Sequence, residues 1–136
     1  MIEAVLHDIL GANVNTGVCS NVADSGGEDM TLYHMRIPQS VSVVKGLVYN
    51  VIAGNQAYCK KGTESTEQFT VQIDIYHISD VEARTVATAV KSLLSGWAGT
   101  VNSVRWNYTT LQGQRRGVVD DIDTVNYTQT YIFNKA

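Results

Sequence analysis

The sequence has little charge. Asp, Glu, Lys and Arg make up 17% of its 136 residues, against about 25% in an ordinary globular domain. The 10 basic and 13 acidic residues leave a net charge of −3, which argues against nucleic acid bound through overall charge. Hydrophobic residues make up 44%, which is close to the usual share. Polar positions are therefore filled mostly by Thr, Ser, Asn, Gln and Gly.

Long hydrophobic runs, cysteine and proline are also scarce. No apolar run approaches the ~18–20 residues that a transmembrane helix needs, so we expect no membrane segment. The N-terminal residues are acidic where a secretory signal peptide is basic, which argues against one. The two cysteines, Cys19 and Cys59, form no Cys-x-x-Cys motif. Reduced thiols are the favoured interpretation, and a disulfide between them stays open.

Apolar spacing predicts two helices. Residues 2–10 carry apolar side chains at helical spacing before Gly11, and residues 80–95 do so before a second glycine. The second segment opens with Ser79 and Glu82, three residues apart, which is the pattern of a capping box.

Five segments carry strand patterns, the clearest being 69–76, where apolar and polar residues alternate. The predicted strands are 30–37, 47–53, 69–76, 104–108 and 125–133. The intervening polar segments 11–29, 58–68 and 112–121 are predicted to be loops. Five clustered strands with two helices predict an α+β fold. We expect a mostly antiparallel sheet of about five strands, with the N-terminal helix and the helix near 80–95 packed on it.

No motif of a known catalytic or phosphate-binding site is present. The histidines are His7, His34 and His77, and none shares a helix face or turn with another metal ligand. A base-catalytic pair of Asp74 and His77 is disfavoured, because residues three apart on a strand point to opposite faces. A small enzyme using His77, Asp74 or His34 is therefore the least favoured hypothesis.

Two polar groups are candidate contact sites. Gln72, Asp74 and Tyr76 share the polar face of the clearest strand. This face is either solvated, which the sequence slightly favours, or meets a partner subunit, where Asp74 would pair with an Arg or backbone donors.

The second group lies in the predicted loop 112–121. Gln114, Arg115 and Arg116 are followed by Asp120 and Asp121. Two basic residues without interleaved aromatics make a poor nucleic-acid site. The group is either a solvated hairpin tip or a loop that docks, plus to minus, on an adjacent copy of the chain.

Several short motifs occur along the chain in an order that is typical of one protein family. They are Pro38-Gln39, Val48-Tyr49, Val71 to Tyr76, Glu82-Ala83-Arg84, Leu93-Leu94 with Gly96, Gly99-Thr100 and the aromatic strand Tyr127 to Phe133. Together they resemble the tail terminator, or tail completion, family of long-tailed bacteriophages. The resemblance covers nearly the whole chain and implies one domain over residues 1–136. Lys45-Gly46-Leu47 stands where that family usually has a proline, and 11–29 is longer than expected.

The resemblance implies a structural virion protein without catalysis or cofactor. Such proteins form a hexameric ring at the head-proximal end of the tail tube, end tube polymerisation and join the tail to the filled head. The implied partners are further copies, the tail tube protein and a head-closure or neck protein. DNA would pass through the lumen without specific binding, and no membrane is involved.

The implied location is the virion tail or neck, with assembly in the host cytoplasm. The second hypothesis is a neck or connector protein between portal and tail. Low charge fits either assembly, because interfaces are depleted in Lys, Glu and Asp. In the ring, the residues around Arg115 and Arg116 are expected at a protomer boundary or on the lumen.

Overall fold

The structure is a computed structural model that describes residues 2–13, 15–24, 26–35, 45–59, 62–119 and 124–135. Within them, the side chains of 53–59, 62–67 and 118–119 are not described. The elements in chain order are α1 (Ile2–Leu10), β1 (Val18–Ala23), β2 (Asp29–His34), β3 (Gly46–Cys59), β4 (Gly62–His77), α2 (Asp80–Leu94), β5 (Gly99–Val101), β6 (Val104–Val119) and β7 (Thr124–Lys135).

The strands form one seven-stranded sheet in the order β1-β2-β3-β4-β7-β6-β5. All neighbours are antiparallel except β2 and β3, which are parallel. The sheet is therefore mixed, and it curls into a half-barrel. The prediction of a mostly antiparallel sheet of about five strands is wrong. The sheet is mixed, it has seven strands, and more of the chain is in strands than predicted.

The extra strand structure lies where the sequence is polar. β1 falls inside 11–29, and only Cys19 and Val22 of its six residues are buried, so its pattern is weak. β5 has three residues, too few for a pattern. Residues 62–68 and 111–119 form strand because each is hydrogen-bonded to a neighbouring strand rather than because of its own side chains. Tertiary pairing here overrides local preference.

Both predicted helices are confirmed. α1 turns one face inward, and Gly11 follows it in the left-handed conformation, with φ +68°. Ser79 is the N-cap residue of α2, but its side chain makes no capping hydrogen bond, so that part of the capping-box prediction is wrong. Neither helix of the described ranges is long and apolar enough to cross a membrane.

The two faces of the sheet differ. We call the face that carries Val71, Ile73 and Ile75 the helix face, because these fully buried side chains share one core cluster with residues of both helices. The amide of Gln129, also on this face, donates to the Ala87 carbonyl of α2 at 2.9 Å. The other large buried side chains of the core are Leu6, Leu10, Met30, Leu47, Leu94, Trp106, Tyr131 and Phe133.

We call the opposite face, which carries Gln72, Asp74 and Tyr76, the open face. Neither described helix packs on it, because the buried residues of both belong to the core cluster of the helix face, and α2 is also hydrogen-bonded there through Gln129 and Tyr127. The predicted strand end at Ile37 and the motif Pro38-Gln39 lie outside the described residues.

Two glycine substitutions separate the cost of backbone conformation from that of crowding. Gly11 and Gly27 both have positive φ, but a Cβ at Gly11 would collide with Ser20 Oγ, whereas one at Gly27 meets nothing within 4 Å. Gly27→Ala should lose about 1 kcal/mol of unfolding free energy for the left-handed backbone alone. Gly11→Ala should lose more, because the Ser20 hydroxyl must leave the Gly11 carbonyl that it bonds. Urea unfolding measures both; equal losses would contradict this account.

Candidate functional site

The open face is organised in rows that cross the strands. Asp74 of β4 is paired with Thr128 of β7, which is paired in turn with Arg115 of β6. On the other side Asp74 is paired with Val48 of β3. One row of the open face therefore holds a carboxylate, a hydroxyl and a guanidinium in that order.

Asp74 is held by neutral donors. The Thr128 hydroxyl donates to its carboxylate at 2.7 Å, and the Gln72 amide donates at 3.2 Å. Only 9% of Asp74 is exposed, although no helix covers this face. The side chain is thus ordered and largely dehydrated, rather than solvated as the sequence slightly favoured.

Tyr76 belongs to the next row, opposite Asn126. Burial raises the pKa of its hydroxyl, and the nearby Asp74 carboxylate raises the same pKa further. The Thr128 hydroxyl oxygen also lies 3.1 Å from Asn126 Oδ1, although its single proton is donated to Asp74 at the shorter distance. Gln72, Asp74 and Tyr76 are therefore half-buried or buried members of one polar network.

A cleft of about 330 Å³ lies beside this network. Its lining comprises Gln72, Gly113, Gln114, Arg115, Thr128 and Thr130. Gln72, Thr130 and Gly113 form one row, and Gly113 leaves a gap because a Cβ there would meet nothing within 4 Å. The cleft joins the two polar groups that the sequence singled out separately.

Arg116 lies on the helix face instead. Its Nε donates to Asp80 of α2 at 2.8 Å, and Arg84 donates to the same carboxylate at 3.0 Å. The Tyr127 hydroxyl also donates to Asp80. The hydrogen bond from Arg116 is the largest cause that lowers the pKa of Asp80. Arg116 therefore binds its own chain.

The predicted loop 112–121 is largely strand. Gln114, Arg115 and Arg116 are residues of β6, and each is paired with a residue of β7. The loop prediction is wrong for these three residues. Their polar sequence has no strand pattern, and they form strand because they are hydrogen-bonded to β7. Asp120 and Asp121 lie outside the described residues.

His77 lies on the helix face, opposite to Asp74. Its Nε2 is 3.4 Å from an Asp24 carboxylate oxygen, and Lys45 Nζ lies 2.9 Å from the same oxygen. Glu28 binds Lys45 as well. This cluster ties the turn between β1 and β2 to the start of β3 and the end of β4. The Lys45 ammonium, with the backbone amide of Glu28, holds the pKa of Asp24 well below its usual range.

A metal is a second interpretation of the same cluster. Ligand atoms of Asp24, His77 and Glu82 lie within 4.8 Å of one another. However, the Ser79 N–H donates to His77 Nδ1 at 3.1 Å, which assigns the proton of the neutral ring to Nε2. A ligating Nε2 needs that lone pair free, and the Lys45 ammonium already neutralises Asp24. The geometry therefore fits an ion-pair cluster better than a metal site.

The other two histidines lie elsewhere. His34 stacks on Tyr49 with ring centroids 4.7 Å apart. His7 borders a cavity of about 650 Å³ between α1 and the end of β5, with Glu3, Asp8 and Asn102 in its lining. The three histidines thus occupy three separate places.

Cys19 is a free thiol in the core. Burial, with a smaller contribution from Asp29, raises the pKa of Cys19 to about 12. The thiolate is the reactive form of cysteine, so Cys19 is chemically inert at neutral pH.

Two parts of the site had no clear sequence signal. Gly113 opens the cleft because it has no side chain. The sequence did not indicate this, since a lone glycine in a polar segment is equally typical of a turn. Asp24, Lys45 and His77 are far apart in sequence and meet only after the strands pair. The alternation of 69–76 was the one signal that located the open face.

Comparisons with known proteins place the fold. No protein-family model and no curated protein matches the chain. Among solved structures it is similar to a chain of the virion of a native gene transfer agent particle. The two share 14% sequence identity with a TM-score of 0.58, over 76% of this chain and 77% of that one. The likeness extends over most of both chains and shows a shared fold.

Acidification should unfold the protein partly through Asp24. Its pKa in the folded state lies below the value of about 3.9 for an unfolded chain. The contribution of Asp24 is therefore present above about pH 4 and is lost as the pH falls below that. We expect Asp24→Asn to flatten the dependence of unfolding free energy on pH between pH 5 and pH 3. An unchanged slope, equal to that of the exposed control Asp8→Asn, would contradict this role.

Cys19 should resist alkylation in the native protein. Iodoacetamide at pH 8, followed by peptide mass spectrometry, should leave Cys19 unmodified until urea unfolds the chain, since the thiol is buried and protonated. Rapid modification of Cys19 under native conditions would show that the core around β1 opens.

Proposed function

We propose that the chain is a structural protein of a phage virion, and that it forms the ring that ends the tail tube at its head-proximal end. The observation that carries the proposal is the fold shared with a chain of a gene transfer agent virion. The order of motifs that resembles tail terminators supports the finer assignment. The proposed partners are further copies of the chain, the tube protein and a head-closure protein.

The open face supports an assembly function. Its side chains are mostly neutral and polar, they are held by hydrogen bonds, and no helix packs on them. Ordered polar groups of this kind can pair with a partner at little conformational cost, because their rotamers are already fixed. A closed ring needs contacts between two different surfaces of adjacent copies. The open face is proposed as one of these two surfaces.

The cleft beside Gly113 is the proposed contact point on this face. Arg115 lies on its rim and is exposed, so it can bind an acidic side chain or a backbone carbonyl of the neighbour. Asp74 lies on the same row with its acceptor positions partly used. Arg116 is assigned no contact with a neighbour, because it is bound to Asp80.

A neck or connector protein is the second candidate from the sequence. Pull-down with purified tube protein and purified head-closure protein separates the two, because a terminator binds tube ends and a connector between portal and tail does not. Native mass spectrometry of the chain with tube protein gives the ring number. A chain that stays monomeric and ignores tube ends would contradict the proposal.

Filling the cleft should block assembly without harming the fold. Gly113→Leu places a side chain in the gap, where a Cβ meets nothing within 4 Å. Thr88→Leu adds the same side chain at an exposed position of α2, away from the open face, and is the control. We expect Gly113→Leu to raise the concentration needed for ring formation by about tenfold or more, the equivalent of ~1.4 kcal/mol. Analytical ultracentrifugation measures assembly, and thermal unfolding checks the fold; equal assembly by both variants would exclude the cleft from the interface.

A further inference from the structure

In the described part of the chain, two strands have long stretches that are paired on one side. β3 is paired with β2 only at Leu47, Val48 and Tyr49, so in the described part of the chain residues 50–59 have a strand on the β4 side alone. β6 is covered by β5 at Val104 to Trp106 and by the backbone of Gly96 and Trp97 at Thr109. From 110 to 119 its described neighbour is β7 alone.

The open stretch of β3 lacks the features that protect free edges. Natural proteins block such edges with charged residues or proline. Residues 50–59 contain neither. Val51 and Ile52 on this stretch are 37% and 54% exposed. An unprotected edge with exposed apolar side chains is typical of a strand that is covered in an assembly.

The two stretches match in length and direction. Residues 50–59 and 110–119 are equally long. β3, β4, β7 and β6 alternate in direction, so β6 runs antiparallel to β3. Within one copy Thr110 lies in the row of Ala53, and Gly117 lies in the row of Gly46. The two stretches therefore meet along their whole length when the next copy keeps the same orientation but is displaced along the strands by about six residues, or ~20 Å. β3 and β6 lie on opposite sides of the central pair β4 and β7, as a head-to-tail contact requires.

We propose that the open stretch of β6 in one copy pairs with the open stretch of β3 in the next copy. The partner is a second copy of this chain, and the sheet then continues from subunit to subunit. This inference rests on the proposed ring, and it adds a backbone contact to the one proposed at the cleft, since Gly113 and Arg115 of the cleft lie on the same stretch of β6. The hydrogen bonds between the strands give affinity, in the manner of strand addition to a sheet edge.

Hydrogen exchange tests the pairing directly. The full chain is compared as monomer and as assembled oligomer, with the state of each sample fixed by native mass spectrometry. We expect amides in both 50–59 and 110–119 to exchange at least about tenfold more slowly in the oligomer, because pairing adds hydrogen bonds. Residues 125–133, already bonded on both sides, serve as the internal control and should change little.

A charge placed on the β3 edge gives an independent test. Ile52→Lys adds an edge-protecting lysine at an exposed position, and Val81→Lys makes the same change on α2, where Val81 is 66% exposed. We expect Ile52→Lys to raise the assembly concentration about tenfold or more with unchanged thermal unfolding. Val81→Lys should assemble as the unmodified chain does.

The outcomes separate the two proposals. An oligomer that caps tubes but shows unprotected 50–59 and 110–119 overturns the edge pairing and leaves the terminator function standing. An oligomer that protects both stretches but ignores tubes supports the pairing and overturns the function. A chain that never associates, or an Ile52→Lys variant that assembles as Val81→Lys does, overturns the pairing.

Discussion

The alternation of side chains along β4 is the constraint on which the structure depends. β4 is bonded on both sides, to β3 and β7, so its register fixes that of its neighbours. Its odd-numbered residues from Val71 to Ile75 pack into the core, and the even-numbered ones form the open face. A slip by one residue would exchange the two faces. The same alternation separates Asp74 from His77 and places His77 beside Asp24 instead.

The few charged residues of the chain are used largely in ion pairs within the fold. Several of the few charged residues are bound within the chain, as in the contacts of Lys45 with Asp24 and of Arg116 with Asp80. These pairs connect distant segments: a turn to a strand, and β6 to α2. The open face carries few charges and mainly hydroxyl and amide groups, which suits a surface that is covered in an assembly. Among the described basic residues, Arg115 lies on the rim of the cleft.

Sequence reasoning located the elements that carry their own periodicity. α1, α2 and the central strands follow from apolar spacing alone. β1, β5 and the extensions of β3, β4 and β6 could not be predicted, because polar residues such as Gln114 and Thr63 become strand only when a neighbouring strand bonds them. The open face was predicted from Gln72, Asp74 and Tyr76, but not the burial of Asp74, which depends on Thr128 far along the chain. Arg115 lies on the open face and Arg116 on the helix face, as strand alternation requires once β6 is known to be a strand.

Cryo-electron microscopy of an assembled particle that contains the chain tests the central claim most directly. The account predicts a closed ring of this fold at the junction of head and tail tube, with the open face and its cleft in contact between adjacent copies. Density for this fold in any other part of the particle, or copies at the junction that do not touch through the open face, would contradict it.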